Sequence, residues 1–202
     1  MPGEGVKLRR DRFATEAAYF HTVISDMVVR VPTGQTLNGL AVVNKANSGE
    51  GNIHGVELAA QVDLSAGFLL WGNFTWQEGS IDTPVSVGGP EQTEPVSRLM
   101  PMTVNAGLRW EHSSRKFWAE FATTVAATQD RLSAGDKADT QRIPPNGTPG
   151  YETYNLRAGW RPCPKFSLTT ALENISDADF RIHGSGVNEP GRNFIVSADL
   201  RF

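Results

Sequence analysis

The sequence predicts an all-β chain: an antiparallel meander of about eight strands long enough to cross a membrane. Three observations carry that prediction. Apolar and polar residues alternate with a period of two along most of the chain. Short and long connections alternate strictly, and aromatic residues gather near strand ends instead of strand centres.

The alternation is clearest at the C-terminus. Phe194, Val196, Ala198, Leu200 and Phe202 fall on one face, and Ile195, Ser197, Asp199 and Arg201 on the other. Met102, Val104, Ala106, Leu108 and Trp110 repeat the pattern, as do Phe68, Leu70, Gly72, Phe74 and Trp76. Tyr154, Leu156, Ala158 and Trp160 follow it, and so do Phe166, Leu168, Thr170 and Leu172. Strand boundaries are the softest part of such a reading, good to about two to four residues. The strands are expected over 12–25, 51–63, 67–79, 99–111, 116–130, 151–161, 165–177 and 193–202, with a short extension at Val28–Val31.

Three connections are short: Asp63 to Gly67, Glu111 to Lys116 and Arg161 to Lys165. The others, over 32–50, 80–98, 131–150 and 178–192, are long and rich in Gly, Pro, Asn and Asp. In an antiparallel meander this puts every short turn on one rim and every long loop on the other. Outer-membrane barrels segregate their connections in this way, with short periplasmic turns and long extracellular loops. A soluble β-sandwich has no reason to.

The aromatics agree. Phe68, Trp110, Phe117, Trp160 and Phe166 adjoin short turns and are expected to form one interfacial belt, while Trp76, Tyr154 and Phe194 fall toward the other end. Glu16, Glu57, Asp63, Arg109, Glu120, Arg157, Glu173, Asp199 and Arg201 occupy the opposite face and would line a polar interior. Cross-strand pairing is expected between Arg109 and Glu120 and between Arg157 and Glu173.

Composition narrows the function. The formal charge of −3 and the lack of any basic cluster beyond Lys7-Leu8-Arg9-Arg10 argue against a nucleic-acid partner. A mean hydropathy of −0.32 is compatible with a barrel, because only alternate strand residues meet lipid. The single cysteine, Cys163, sits between two prolines in a turn. The histidines at 21, 54, 112 and 183 are scattered over separate segments, and no metal site is expected. Gly184-Ser185-Gly186 lacks the Gly-x-Ser-x-Gly spacing of a nucleophile elbow, and no acid–base pair emerges, so no enzyme is expected. Met1-Pro2-Gly3-Glu4-Gly5 has no apolar signal core, so export is expected to depend on sequence outside this chain.

Several stretches carry a family resemblance. They are Asn44–Leu58 with its Ile53-His54-Gly55-Val56-Glu57-Leu58 strand entry, Pro95-Val96-Ser97-Arg98-Leu99-Met100-Pro101, and Gly150-Tyr151. Glu173-Asn174-Ile175-Ser176-Asp177-Ala178-Asp179-Phe180 and Gly191-Arg192-Asn193-Phe194, leading to a terminal Phe202, complete the set. In this order the segments resemble the C-terminal portion of the barrel of TonB-dependent outer-membrane receptors. The resemblance implies one domain over 1–202, part of a barrel of 22 strands whose earlier strands and plug are not in this chain. It also implies a bacterial outer-membrane location and Phe202 as a barrel-assembly signal. The implied function is uptake of a scarce chelate of the ferric siderophore, haem or cobalamin type, without a resident cofactor. The implied partners are outer-membrane lipid, the rest of the barrel and its plug, the small chelate, and TonB through the N-terminal part only. Ligand contacts would fall on the long loops, with Arg98, Arg131, Arg142, Arg181, His183 and Arg192 as candidates. The alternative reading is a self-contained eight-stranded barrel with a structural or adhesion role, whose interior side chains would fill.

Overall fold

The structure, a computed structural model, describes residues 3–202. Ten strands form one antiparallel sheet: β1 (Gly3–Arg10), β2 (Phe13–Leu37), β3 (Leu40–Asp63), β4 (Phe68–Pro84), β5 (Glu91–Pro95), β6 (Thr103–Glu111), β7 (Phe117–Ala126), β8 (Tyr151–Cys163), β9 (Phe166–Glu173) and β10 (Asn193–Leu200). Nine of them follow one another in chain order, and β5 pairs back onto β4 as a side hairpin. One short α-helix, α1 (Ala134–Ala138), lies in the β7–β8 loop, and a 3-10 turn at Ser65–Gly67 joins β3 to β4. Among the described residues no helix is long and apolar enough to cross a membrane.

The antiparallel meander is as the sequence predicts, but several segments need correction, and the strict alternation of short and long connections fails at one of them. Residues 3–10 form β1, which the eight expected segments leave out. Val6 and Leu8 alternate there with Lys7 and Arg9, a stretch too short and too charged to stand out on its own. Residues 32–50 are not a long loop. They extend β2 and β3 into one hairpin of 25- and 24-residue strands closed by Asn38-Gly39. Both turn residues have positive φ (52° and 78°), as a two-residue hairpin turn requires. Pro32 and Gly34 lie where the register shifts between Pro32 and Thr36, so the bulge absorbs residues that otherwise read as loop. The 80–98 stretch is likewise part strand, since β4 runs to Pro84 and β5 returns along it. At the other ends, β7 stops at Ala126 and β9 at Glu173, short of the expected 130 and 177.

The two faces of the sheet differ sharply. On one, Phe68 stands opposite Trp110, Leu70 opposite Leu108, Phe121 opposite Leu156 and Phe117 opposite Trp160. These side chains have no protein cover: Leu70, Phe121 and Leu156 are 46–47% exposed and Val196 56%. A water-facing sheet does not present so broad an apolar face, whereas a lipid-facing wall must. Near the short turns the rings meet directly. Phe117 stacks on Trp160 at 6.5 Å, Phe166 meets Trp160 edge-on at 6.1 Å, and His112 sits between Trp110 and Phe117. Tyr154 stacks on Phe121 at 6.1 Å nearer the other rim. Six residues separate Tyr154 from Trp160 and eight separate Trp76 from Phe68. At about 3.3 Å per residue this is roughly 20–27 Å of strand, the span of an outer-membrane apolar band.

The opposite face is polar and self-satisfied. Thr124 donates to Asn105 at 2.7 Å, and Asn105 donates to Asn73 at 2.9 Å, giving a chain across β7, β6 and β4. Arg157 reaches Glu173 at 2.9 Å and Glu120 at 3.6 Å, while Arg109 reaches Glu120 at 3.8 Å. Both expected cross-strand pairs therefore form, joined through Glu120. The Arg109 guanidinium also lies 4.1 Å above the Trp118 ring. Trp118 and Trp71 lie flat over their cross-strand partners Gly159 and Gly107; a Cβ at Gly107 would stand 2.6 Å from the Trp71 ring. Glycine there lets the indoles hug the wall instead of filling the interior.

The two outermost strands each have one partner among the described residues. β1 pairs with β2 alone and β10 with β9 alone.

Candidate functional site at the long-loop rim

The long connections fold into one packed cap. Its centre is Asp136 in α1, 1% exposed. The Ser133 hydroxyl accepts from the Asp136 amide at 3.0 Å while an Asp136 oxygen accepts from the Ser133 amide at 3.2 Å, a reciprocal capping box. The same carboxylate accepts from the Ser97 hydroxyl at 2.7 Å and from the Arg98 amide at 3.3 Å. Burial alone would raise the Asp136 pKa. The bonds from Ser97, Ser133 and Arg98 outweigh it and hold the carboxyl below its ordinary value. One side chain thus ties the 96–102 connection to the β7–β8 loop.

Neighbouring contacts extend the tie. The Ala134 amide donates to Glu94 at 2.6 Å, and the Gln129 amide side chain donates to the Leu99 carbonyl at 2.7 Å. Ile143, 1% exposed, and Leu132, 6% exposed, are buried in the same loop. A separate apolar cluster of Val29, Val31, Ile81 and Val96 packs the tall β2–β3 hairpin against the β4–β5 hairpin. Between these cores lies a cleft of about 970 Å³, floored by Met27, Val29, Ile81 and Val96 and edged by Arg30, Arg98 and Arg142.

The expected site residues divide into two groups. Arg98 and Arg142 converge on one oxygen of Asp139, at 2.5 and 3.1 Å, and both line the cleft. His183 comes to the same region from the β9–β10 loop. Its Nδ1 pairs with the Thr148 hydroxyl at 2.8 Å, and the following Gly184–Gly186 stretch lies against the Arg98 and Arg142 side chains. Burial lowers the His183 pKa, the Arg98 charge lowers it further, and the Asp136 charge opposes both. The remaining three lie apart. Arg131 pairs with Glu78, Arg181 clasps Asn188 at 2.7 and 2.9 Å, and Arg192 donates to the Ile175 carbonyl at 3.0 Å. None of these three lines the cleft.

Four positions that shape this cap and cleft escaped the sequence reading: Asp136, Asp139, Ser97 and Arg30. Ser133-x-x-Asp136 is the one local signal for the first, a capping pattern that announces a helix start. Nothing local marks Ser97, whose partner is 39 residues away. The histidines also need revision. His21 and His54 are direct cross-strand partners with ring centres 6.3 Å apart, because the β2–β3 register aligns segments 33 residues apart in sequence.

The Glu173–Phe180 signature proves to be the clasp at the base of the last loop. Asn174 ends β9 at φ 49°, a left-handed conformation that Asn tolerates. Its side chain accepts from the Ala178 amide at 2.9 Å and donates to the Ala178 and Pro190 carbonyls at 2.8 and 3.2 Å. Asp177 accepts from the Arg192 amide at 2.7 Å, bringing the chain back into β10.

Comparison with known proteins fits this architecture. The chain spans about 30% of the solved transporters it resembles: copper transporter OprC (TM-score 0.76, 18% identity, 99% of this chain and 30% of that one) and the FrpB iron transporter from Neisseria meningitidis (0.73, 16%, 98% and 29%). At such identities the likeness is one of fold. Hemoglobin-binding protein A of Haemophilus influenzae is 22% identical over 183 residues, covering 74% of this chain and 17% of that protein. The model of the TonB dependent receptor-like β-barrel matches residues 5–175. The chain belongs to the TonB-dependent receptor family, whose members are receptors of the outer membrane.

Proposed function

We propose that this chain is the C-terminal portion of a barrel that takes up a scarce metal chelate of the siderophore, haem or cobalamin type, and that the long-loop cleft contributes to its capture. The observation that carries the reading is the pair of guanidiniums on a single carboxylate. Arg30, Arg98 and Arg142 line the apolar-floored cleft against two carboxylates, Glu94 and Asp139, so its lining keeps one net positive charge. A chelate with an apolar body and anionic groups complements that arrangement. Arg131, Arg181 and Arg192 hold the surrounding loops, and His183 secures the last loop to Thr148. TonB and a plug would be engaged through sequence outside this chain, and Phe202, fully exposed beyond β10, would serve as the assembly signal.

The unpaired sides of β1 and β10 favour a larger barrel over the self-contained alternative. Bare strand edges cannot persist in hydrocarbon, so each requires a further strand. The small-barrel reading instead needs β1 and β10 to pair with one another, and each pairs only inward here.

The test is tryptophan quenching by haemin and by a ferric tris-catecholate, with the chain in detergent micelles. At least one probe should bind, and Arg98→Gln with Arg142→Gln together should weaken it by about tenfold or more, the scale of two charge-assisted contacts. Equal binding by parent and double variant would remove the cleft from the function. Binding of neither probe would remove the chelate class.

A further inference from the structure

Two of the four histidines face each other. His21 and His54 are directly opposed across β2 and β3, with ring centres 6.3 Å apart and planes at 82°. Both are half-buried, and His54 also meets Trp76 edge-on at 5.8 Å. The other two histidines use Nδ1 for local bonds, His112 to Ser114 and His183 to Thr148. Among the described residues no hydrogen bond engages the His21 or His54 ring, so their nitrogens are uncommitted.

The strand register sets where the pair stands. His54 shares the face of Val56 and Leu58, whose partners are Trp76 and Phe74, so both imidazoles lie on the outer face of the wall. They stand two residues beyond Tyr19, Val56 and Trp76, about 7 Å toward the long loops, at the edge of the apolar band. Among the described residues, Phe20 is the last on β2 with a partner on β1, and the β2–β3 register first shifts after Ile24. The pair therefore marks the foot of the projecting hairpin. Glu78, opposite His54 on β4, is held by Arg131, and neither histidine lines the arginine-edged cleft.

We propose that His21 and His54 chelate one first-row transition-metal ion, of the zinc or copper class, and so clip β2 to β3 at the foot of the hairpin. Such ions favour imidazole nitrogen, whereas hard ions such as magnesium do not. An ion bonded at about 2.0–2.1 Å to one nitrogen of each ring sets the ring centres roughly 5–6 Å apart, so a small side-chain rotation closes the present gap. The paired strands hold both rings in place before the ion arrives, so the second bond needs little further ordering. No cluster of three or more His, Cys, Asp and Glu forms among the described residues, so water fills the remaining positions. A site with two protein ligands is weaker than a closed one with four and suits an exchangeable ion. The inference does not rest on the chelate-capture reading.

The barrel of which this chain is a part is purified in detergent micelles without a histidine tag and titrated calorimetrically with zinc chloride. One binding event should weaken by about tenfold or more in His21→Gln and in His54→Gln, because a single imidazole cannot chelate. The double variant should lose little beyond either single one, since each already breaks the chelate. His112→Gln, at an exposed position by the short turns, should bind as the parent does, which separates the pair from any surface imidazole. With zinc at ten times its Kd, amide exchange through opening of residues 21–24 and 51–54 should slow by about tenfold in the unmodified barrel. Magnesium chloride should produce neither effect. Equal zinc binding by the parent and the single variants overturns the proposal, and so do losses that simply add or binding that magnesium matches. Exchange that zinc leaves unchanged overturns it too, and that measurement decides the matter even where a substitution disturbs the sheet.

Discussion

The wall and the cap of this molecule invert each other. In the wall, large apolar side chains such as Leu70, Phe121 and Leu156 stand nearly half exposed while polar groups pair among themselves on the inner face. In the cap, Ile143 is 1% exposed and buried against its own loop, as in a soluble protein. The difference follows from the solvent each region meets. Lipid replaces the hydrophobic core for the wall, so the wall needs only alternation and hydrogen-bonded ladders. The cap stands in water and must build its own small core and pair its buried polar groups, as it does at Asp136, although His183 Nε2 is left without a partner.

The sharpest way to break that comparison is to cut the cap's core. Ile143→Ala removes a fully buried side chain and should cost about 2–5 kcal/mol. The loss should be local: amide exchange should accelerate through residues 127–150 and around Asp136, while β6–β9 amides stay protected. Acceleration spread evenly over the wall would show that cap and wall fold as one unit.

The complementary change attacks the wall. Phe121→Arg puts a charge at the middle of the apolar face, opposite Leu156 and Leu108. In a bilayer this should destabilise the inserted barrel of which this chain is a part by about 2–4 kcal/mol, read from urea unfolding in vesicles. A soluble sheet with that face in water would tolerate the same change within about 0.5 kcal/mol. An unchanged midpoint would therefore end the lipid-facing reading.

The same contrast explains what was legible in the sequence. The wall was, because each strand announces its own apolar face: Phe194, Val196, Ala198 and Leu200 need no partner to be recognised. The Arg109–Glu120 pair could be anticipated, since a short turn fixes which residues face each other, whereas Arg157 stands opposite Ala171 and reaches Glu173 diagonally. The tall β2–β3 hairpin was obscured because Pro32 and Gly34, which normally mark loops, lie in a bulge of a continuing ladder. The cap was illegible for a different reason. Asp136 gathers donors from Ser97, Arg98 and Ser133, and no short-range pattern encodes a meeting of residues 39 apart. Arginines looked like ligand groups when seen singly. Only tertiary placement divides Arg98 and Arg142, which edge the cleft, from Arg181 and Arg192, which hold loops.

The smallest expected effect is a pH limb confined to the cap. His183 is buried and neutral, with its pKa held below the ordinary 6.5 chiefly by burial. The unfolded loop therefore binds a proton at a pH where the folded loop does not, and stability rises with pH across that interval. The His183 contribution is fully present above pH ~6.5 and is lost as pH falls through the lower folded value. Asp136, also depressed, contributes stability present above its unfolded value near pH ~4 and lost only as pH falls through its lower folded value, so the two limbs separate. Between them, exchange in residues 174–192 should quicken while the Ser97–Asp136 tie holds. His183→Gln should flatten this first limb and leave the second in place; a limb unchanged by that substitution would assign the titration to another group. The wall, whose inner pairs are remote from the cap, should show neither limb.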